Sequence, residues 1–252
     1  MFLGEHETYF YDAAKQKHKV LFSNLETGVD AGCSTLYIAS GENVDTVQAK
    51  LRTFGFQSDD PKQLRIVPSH QWYTPDGTFN AKRVVDQYRR LIDEALDNGF
   101  AGLYVSADAS DTLKYLSKKG MVEAWMDYEH SLGTTFKFPM EAICAYDAEQ
   151  IKSNGQLLFQ LIKDHKHTIS LKSETRISNE QLLRSTVYHQ LKTILGATTT
   201  TLFFDYIENH NSTQNRPLTI ENLWDLLQPI LREGHSSIKQ NILKEIYARI
   251  EL

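Results

Sequence analysis

Six side chains in this sequence have the makings of a polar centre: His6 and Tyr11 near the start, Glu129 midway, and Cys144, Tyr146 and Asp147 inside the short run AICAYD (142–147). A histidine, a thiol and carboxylates together could bind zinc, but no close-spaced pair such as C-x-x-C or H-x-x-x-H occurs among them. The spacing therefore predicts a ligand pocket and no metal. His165 and His167 stand two apart in a polar stretch, a spacing that supports nothing sharper. Asp108 ends the apolar run GLYVSAD (102–108), where an acid serves either as a pocket carboxylate or as the cap of the next helix. Nucleophilic hydrolysis is disfavoured. G-x-S-x-G is absent, and Cys144 lies between Ile143 and Ala145 in a strand-like run that favours a buried, inert thiol. Aromatic residues, Phe10, Tyr11, Trp125 and Tyr128 among them, suit either an ordinary core or the lining of a cavity for an apolar ligand.

Alternating strands and helices must position these groups. The stretch from His6 to Asn43 reads as an opening strand, a helix from about Ala13 to Gly32, and the strand STLYIAS (34–40). A second amphipathic helix covers Val44 to Phe54 and stops at Gly55; LRIVPS (64–69) is a short strand closed by its proline. The turn TPDGTF (74–79) precedes a helix from about Asn80 to Asn98, after which come GLYVSAD, a helix over Val122 to Leu132 and the strand AICAYD. Short loops between alternating elements imply a mostly parallel sheet covered on both faces.

Past Asp147 the character changes. One helix is predicted over Ala148 to Asp164, and the polar segment 165–177 reads as a linker. Three helices follow. Ser178 with Gln181 matches a capping box ahead of Leu183, Val187, Leu191 and Ile194; Thr219 can cap a helix presenting Ile220, Leu223, Leu227 and Ile230, which Pro229 should bend or end. Ile238, Ile242, Ile246 and Ile250 form a stripe at four-residue spacing, which a small helical domain could offer to a partner. The expected division is 1–164, a linker over 165–177, and a helical domain over 178–252.

Composition narrows the function. Over 252 residues, 41% hydrophobic and 23% charged content supports a folded globular chain. A net charge of -5 gives no overall attraction to nucleic acid or anionic lipid, and no run approaches the ~20 apolar residues of a membrane span. Only Cys33 and Cys144 are present, which argues against a disulfide scaffold and for a reducing compartment, so a cytoplasmic location is expected.

The order of certain pieces resembles a known family. H-x-x-x-F-Y-D at His6, Phe10, Tyr11 and Asp12 is followed by TLYIA (35–39), DGTF (76–79), GLYVSADAS (102–110), the pair Tyr128-Glu129 and CAYD (144–147). Together they are similar to the MEDS domain, the methanogen/methylotroph DcmR-type sensory domain, over about residues 4–165. That resemblance implies a divergent RecA/KaiC-like α/β fold without a phosphate-binding loop, sensing small hydrocarbon derivatives. The segments LLRSTVYHQLKTILG (182–196) and ILKEIYARI (242–250) are similar to helical output domains of archaeal signalling proteins. The residues agree on the missing loop. YFYDAAKQKHKV holds no glycine where G-x-x-x-x-G-K-[ST] would cradle phosphates, and Lys15, Lys17 and Lys19 read as a solvated helix start. Nothing has the basic recognition helix of a DNA-binding module.

The sequence thus points to a cytoplasmic signalling protein and not to an enzyme, with no cofactor. Its fold would be a RecA-like α/β domain followed by a small all-α domain. A small organic ligand is expected at His6, Phe10, Tyr11, Asp108, Tyr128, Glu129, Cys144, Tyr146 and Asp147, and a signalling partner or a second copy of the chain at the helical domain. Two readings compete: a nucleotide-binding or hydrolysing enzyme with an atypical phosphate site, and a ligand-free interaction scaffold.

Overall fold

A computed structural model describes residues 4, 6–56, 58, 60–135, 138–152, 154–170, 174–213 and 235–251. Its centre is β1 (His6–Tyr11), whose six residues are all buried because both faces of the strand are covered. Alternation along this strand sends His6, Thr8 and Phe10 to one face and Glu7, Tyr9 and Tyr11 to the other.

The chain then runs α1 (Ala14–Asp30), β2 (Ser34–Ala39), α2 (Val44–Phe54), β3 (Leu64–Pro68), α3 (Ser69–Tyr73), α4 (Ala81–Asp97), β4 (Leu103–Asp108), α5 (Ser110–Lys118), α6 (Val122–Thr135), β5 (Met140–Asp147), α7 (Ala148–Lys152) and α8 (Gly155–Asp164). Two further strands follow, β6 (His167–Ile169) and β7 (Arg176–Ser178). The sheet order is β3-β2-β4-β5-β1-β6-β7, parallel throughout except for the antiparallel pair β6–β7. Helices cover both faces, as the βαβ crossovers require.

Local chemistry sets the helix ends. Asn43 and Asn80 accept from the backbone N–H groups of Thr46 and Arg83, capping α2 and α4, and Gly55 ends α2 at φ 110°. At Gly28, α1 approaches β4 so closely that a Cβ would fall 2.5 Å from the Cβ of Tyr104, so only glycine allows this packing.

Several expectations need correction. Ala148 to Asp164 is not one helix: it breaks between α7 and α8, where Asn154 accepts from the backbone of Leu157 and starts a new turn. Helices α3 and α5, of 5 and 9 residues, are short and were not expected. Residues 165–177, expected as a linker, contribute β6 and β7, because the backbone of His167–Ile169 pairs with the free edge of β1.

Helices α9 (Asn179–Leu195), α10 (Ala197–Thr213) and α11 (His235–Arg249) complete the described chain, with α9 packed on both others. Ser178 caps α9 by accepting from Gln181, as the capping motif predicts. The isoleucine stripe is not a surface for partners. Ile238, Ile242, Ile246 and Ile250 are buried, on a helix that packs against α9, in the core that also holds Leu183 and Leu158. The helix expected after Thr219, with Ile220, Leu223, Leu227, Pro229 and Ile230, lies outside the described residues. Among the described residues, no helix is long and apolar enough to cross a membrane.

Candidate functional site

The expected site residues divide between the two faces of the sheet, so they do not form one pocket. Strand alternation is the reason. His6, Phe10, Cys144 and Tyr146 face α6, together with Tyr128 and Glu129 of that helix, whereas Tyr11 and Asp108 face α1. Asp147 joins neither group. Its carboxylate accepts from the backbone of Glu149 and Gln150 and so starts α7.

On the α1 face every charge has a partner. Lys17 donates from Nζ to Asp108 Oδ2 at 2.8 Å and lies 3.5 Å from Glu42 Oε1. Tyr11 donates to the Asp108 carboxylate at 3.1 Å and bonds Ser110 at 2.9 Å. Asp108 also accepts from the backbone N–H of Ser110, the first residue of α5, although the cap position itself is Ala109; its carboxylate holds a buried lysine as well. Burial, then the Asp108 carboxylate, pushes the Tyr11 phenol well up. Lys17 is not part of a solvated helix start. It occupies the same stripe as Leu21, Leu25 and Gly28, the face that α1 turns to the sheet. That i, i+4, i+8 spacing is the sequence signal for it.

The α6 face carries the other centre. Nε2 of His6 sits 3.0 Å from Cys144 Sγ and 3.4 Å from Glu129 Oε2. His165, immediately after α8, stacks on His6 with ring centroids 4.0 Å apart and places its own Nε2 3.4 Å from the same Glu129 oxygen. All four residues are buried, and one ligand-type atom from each lies within 4.8 Å of the other three. His165 was missed because its partners come from other elements: β1, β5 and α6 meet the end of α8 only in three dimensions. For the same reason the absence of a close-spaced ligand pair says little here.

The surroundings orient these groups. Tyr146 donates to Glu129 Oε1 at 2.7 Å and accepts from Trp125 Nε1 at 3.4 Å. His165 Nδ1 is 2.7 Å from the carbonyl of Leu161, which can only accept, so that nitrogen carries a proton and, in the neutral form of the ring, the Nε2 lone pair turns toward Glu129. Neither that Nε2, nor Glu129 Oε2, nor His6 Nδ1 has a hydrogen-bond partner among the described residues. Burial, then the neighbouring His165, holds the His6 pKa well below its usual value. Burial, then Glu129, pushes the Cys144 thiol well up. Over this centre stand Tyr73, Phe79, Trp125 and Tyr128, edge to face or tilted, with centroids 5.0–6.3 Å apart.

Asn179, the first residue of α9, ties the centre to the C-terminal helices. Its amide donates to the carbonyls of Ile162 and His165, both at 2.9 Å, and its oxygen accepts from Thr168. No sequence motif marks it beyond its place next to the Ser178 cap.

A family model described as MEDS, MEthanogen/methylotroph, DcmR Sensory domain, matches residues 5–166. The comparison with curated proteins gave no match. Among solved structures, the chain is similar to an uncharacterized protein from Pyrococcus horikoshii crystallised in complex with an unknown peptide, with a TM-score of 0.46 and 15% identity, covering 67% of this chain and 77% of that one.

Proposed function

The chain belongs to the MEDS sensory-domain family, and from that premise we propose that it binds a small hydrocarbon-derived ligand at the α6-face centre and relays binding to helices α9–α11. One observation carries this reading. Buried polar atoms are nearly always paired, yet Glu129 Oε2, His165 Nε2 and His6 Nδ1 are buried together without partners under an aromatic roof. Such an arrangement suits a ligand with one polar group and an apolar remainder. The close contacts between roof rings favour a small molecule, admitted when α6 shifts.

The relay follows from connectivity. His165 belongs to the centre, and its carbonyl is held by Asn179 of α9. A ligand that moves the His165 ring moves the anchor of that helix, and the equilibrium shifts only by the ligand's differential affinity for the two arrangements. The same helices are the place we assign to a signalling partner or a second copy of the chain; Ile194 and Leu202 are exposed there.

A second reading has its own observation. Lys17 lies six residues after Tyr11 at the start of α1 and faces Asp108 at the end of β4, which is where a RecA-like enzyme would hold phosphate and magnesium. A nucleotide there would have to break a buried ion pair, and no glycine lies between Tyr11 and Lys17 to bring backbone N–H groups around the phosphates. The sensor reading is therefore the stronger.

A thermal-shift panel of small alcohols, halogenated hydrocarbons and nucleotides separates them. At ~100 times Kd a ligand adds roughly 2.7 kcal/mol. The expected result is stabilisation by a hydrocarbon derivative, lost in His6→Ala and kept in Lys17→Arg. Stabilisation by nucleotide alone would install the second reading, and no shift with any compound would leave a scaffold.

A further inference from the structure

We propose that His6, Glu129, Cys144 and His165 form a metal centre for one divalent ion of zinc's class, held by Nε2 of both histidines, Sγ of Cys144 and Oε2 of Glu129. The inference uses the residues of the sensory reading and deepens it, yet it stands on geometry of its own.

Distances come first. Zinc bonds nitrogen and oxygen at about 2.0–2.2 Å and thiolate sulfur at about 2.3 Å, so the edges of a four-coordinate site are roughly 3.3–3.6 Å long. The two 3.4 Å separations between histidine Nε2 and Glu129 Oε2 match those edges, and the 3.0 Å separation of His6 Nε2 from Cys144 Sγ is shorter than the edge a bound ion would set. Hydrogen bonding accounts for the 3.0 Å contact between His6 and Cys144 but poorly for the two 3.4 Å contacts. At 3.4 Å both Nε2–Oε2 contacts exceed the ~2.7–3.2 Å range for N–H···O, and the His165 lone pair is turned toward an oxygen that also has only lone pairs to offer. With the ring neutral and Glu129 ionised, two acceptors face each other across a buried gap, and a cation resolves that repulsion.

Charge balance points the same way. Cys144 binds as thiolate, releasing its proton to solvent, and Glu129 is a carboxylate, so with two neutral imidazoles a dication makes the buried centre neutral. Mixed nitrogen, sulfur and oxygen donors in one closed cluster select zinc or its spectroscopic surrogate cobalt over magnesium or calcium, which prefer oxygen alone. Two of the four ligands are also oriented as metal ligands usually are. Leu161 fixes the tautomer of His165 through Nδ1, and Tyr146 holds the free oxygen of Glu129. With four protein ligands, all buried, the site is closed, as in structural and regulatory zinc sites. It would join β1, β5, α6 and the end of α8 at one point, and so set the position from which Asn179 reads His165.

The test is elemental analysis of the purified full chain, followed by removal of metal with a chelator and titration with Zn²⁺ or Co²⁺. We expect one ion per chain. The cobalt form should show visible ligand-field bands of four-coordinate intensity and a near-ultraviolet thiolate-to-cobalt band. Cys144→Ser should lose the thiolate band, while Tyr146→Phe should keep it and weaken Zn²⁺ affinity about 10–100-fold. If either variant fails to fold, the wild-type spectrum decides: a thiolate band requires Cys144, because Cys33 is remote from any such cluster among the described residues. Six-coordinate cobalt without a thiolate band, or no bound metal, overturns the proposal. Running the small-molecule panel on metal-loaded and metal-free protein keeps the two readings apart. Metal without any organic ligand sinks the sensory chemistry alone; organic binding to a chain that takes no metal sinks the metal centre alone.

Discussion

The two faces of β1 carry polar centres of similar composition and opposite character. On the α1 face, Lys17, Asp108, Tyr11 and Ser110 satisfy one another, and the buried charges sum to a closed network. On the α6 face, His6, Glu129, Cys144 and His165 sit equally deep with polar atoms aimed at each other, and His165 Nε2 and Glu129 Oε2 are left without hydrogen-bond partners among the described residues. The first centre is complete as protein; the second is complete only with something added. The contrast locates function better than residue type does, because a buried carboxylate occurs in both and only its partners differ.

The first way to break the comparison is to open the closed centre. Lys17→Met leaves Asp108 buried, charged and without its cation, at a cost of about 3–5 kcal/mol in urea unfolding. Lys17→Met with Asp108→Asn removes both charges and should recover most of that loss. If the single and double variants lose the same amount, the ion pair is incidental and the α1 face is no better satisfied than the α6 face.

A smaller effect sharpens the other side. Tyr146→Phe in metal-free protein deletes the hydroxyl that donates to Glu129 Oε1 and leaves the second carboxylate oxygen unpaired as well, at about 1–3 kcal/mol. Saturating Zn²⁺ should recover part of that loss, since the ion holds Glu129 through Oε2. A variant as stable as wild type under both conditions would mean that Glu129 is already protonated and needs neither partner.

Much of this architecture was legible in the sequence. The serine cap of α9 and the order of β and α segments follow from period and turn chemistry, and five strands of the parallel sheet were placed within a few residues. The division of the site between two faces was legible in principle, since His6 and Tyr11 differ by an odd number of positions along one strand. What could not be read was the fourth member of the α6-face cluster. His165 reaches it because β6 pairs with the edge of β1 and draws the preceding turn inward, a contact fixed by sheet register and not by any local pattern. The isoleucine stripe misled for a related reason. Periodicity identifies the apolar face of α11, but whether that face meets the chain's own core or a partner depends on long-range packing.

The smallest expected effect tests whether the α1 face is as closed at its rim as at its centre. His18 lies next to Lys17, with Nε2 2.8 Å from Glu42, and Lys50 also reaches that carboxylate. Burial lowers the His18 pKa and outweighs the Glu42 hydrogen bond, which raises it; Lys50 and Lys17 lower it further. A histidine whose folded pKa lies below the unfolded value of about 6.5 binds more protons unfolded than folded. Its contribution therefore declines as pH falls from about 6.5 toward the folded pKa, and levels off below it. Urea midpoints measured across that window should drop in wild type and drop less in His18→Gln, a difference that isolates this residue from His6, whose shift has the same sign. Stability rising toward acid in wild type but not in the variant would mean that a charged His18–Glu42 pair prevails over burial. The rim would then hold a net attraction that grows on protonation, and the closed face would share the responsiveness assigned to the open one.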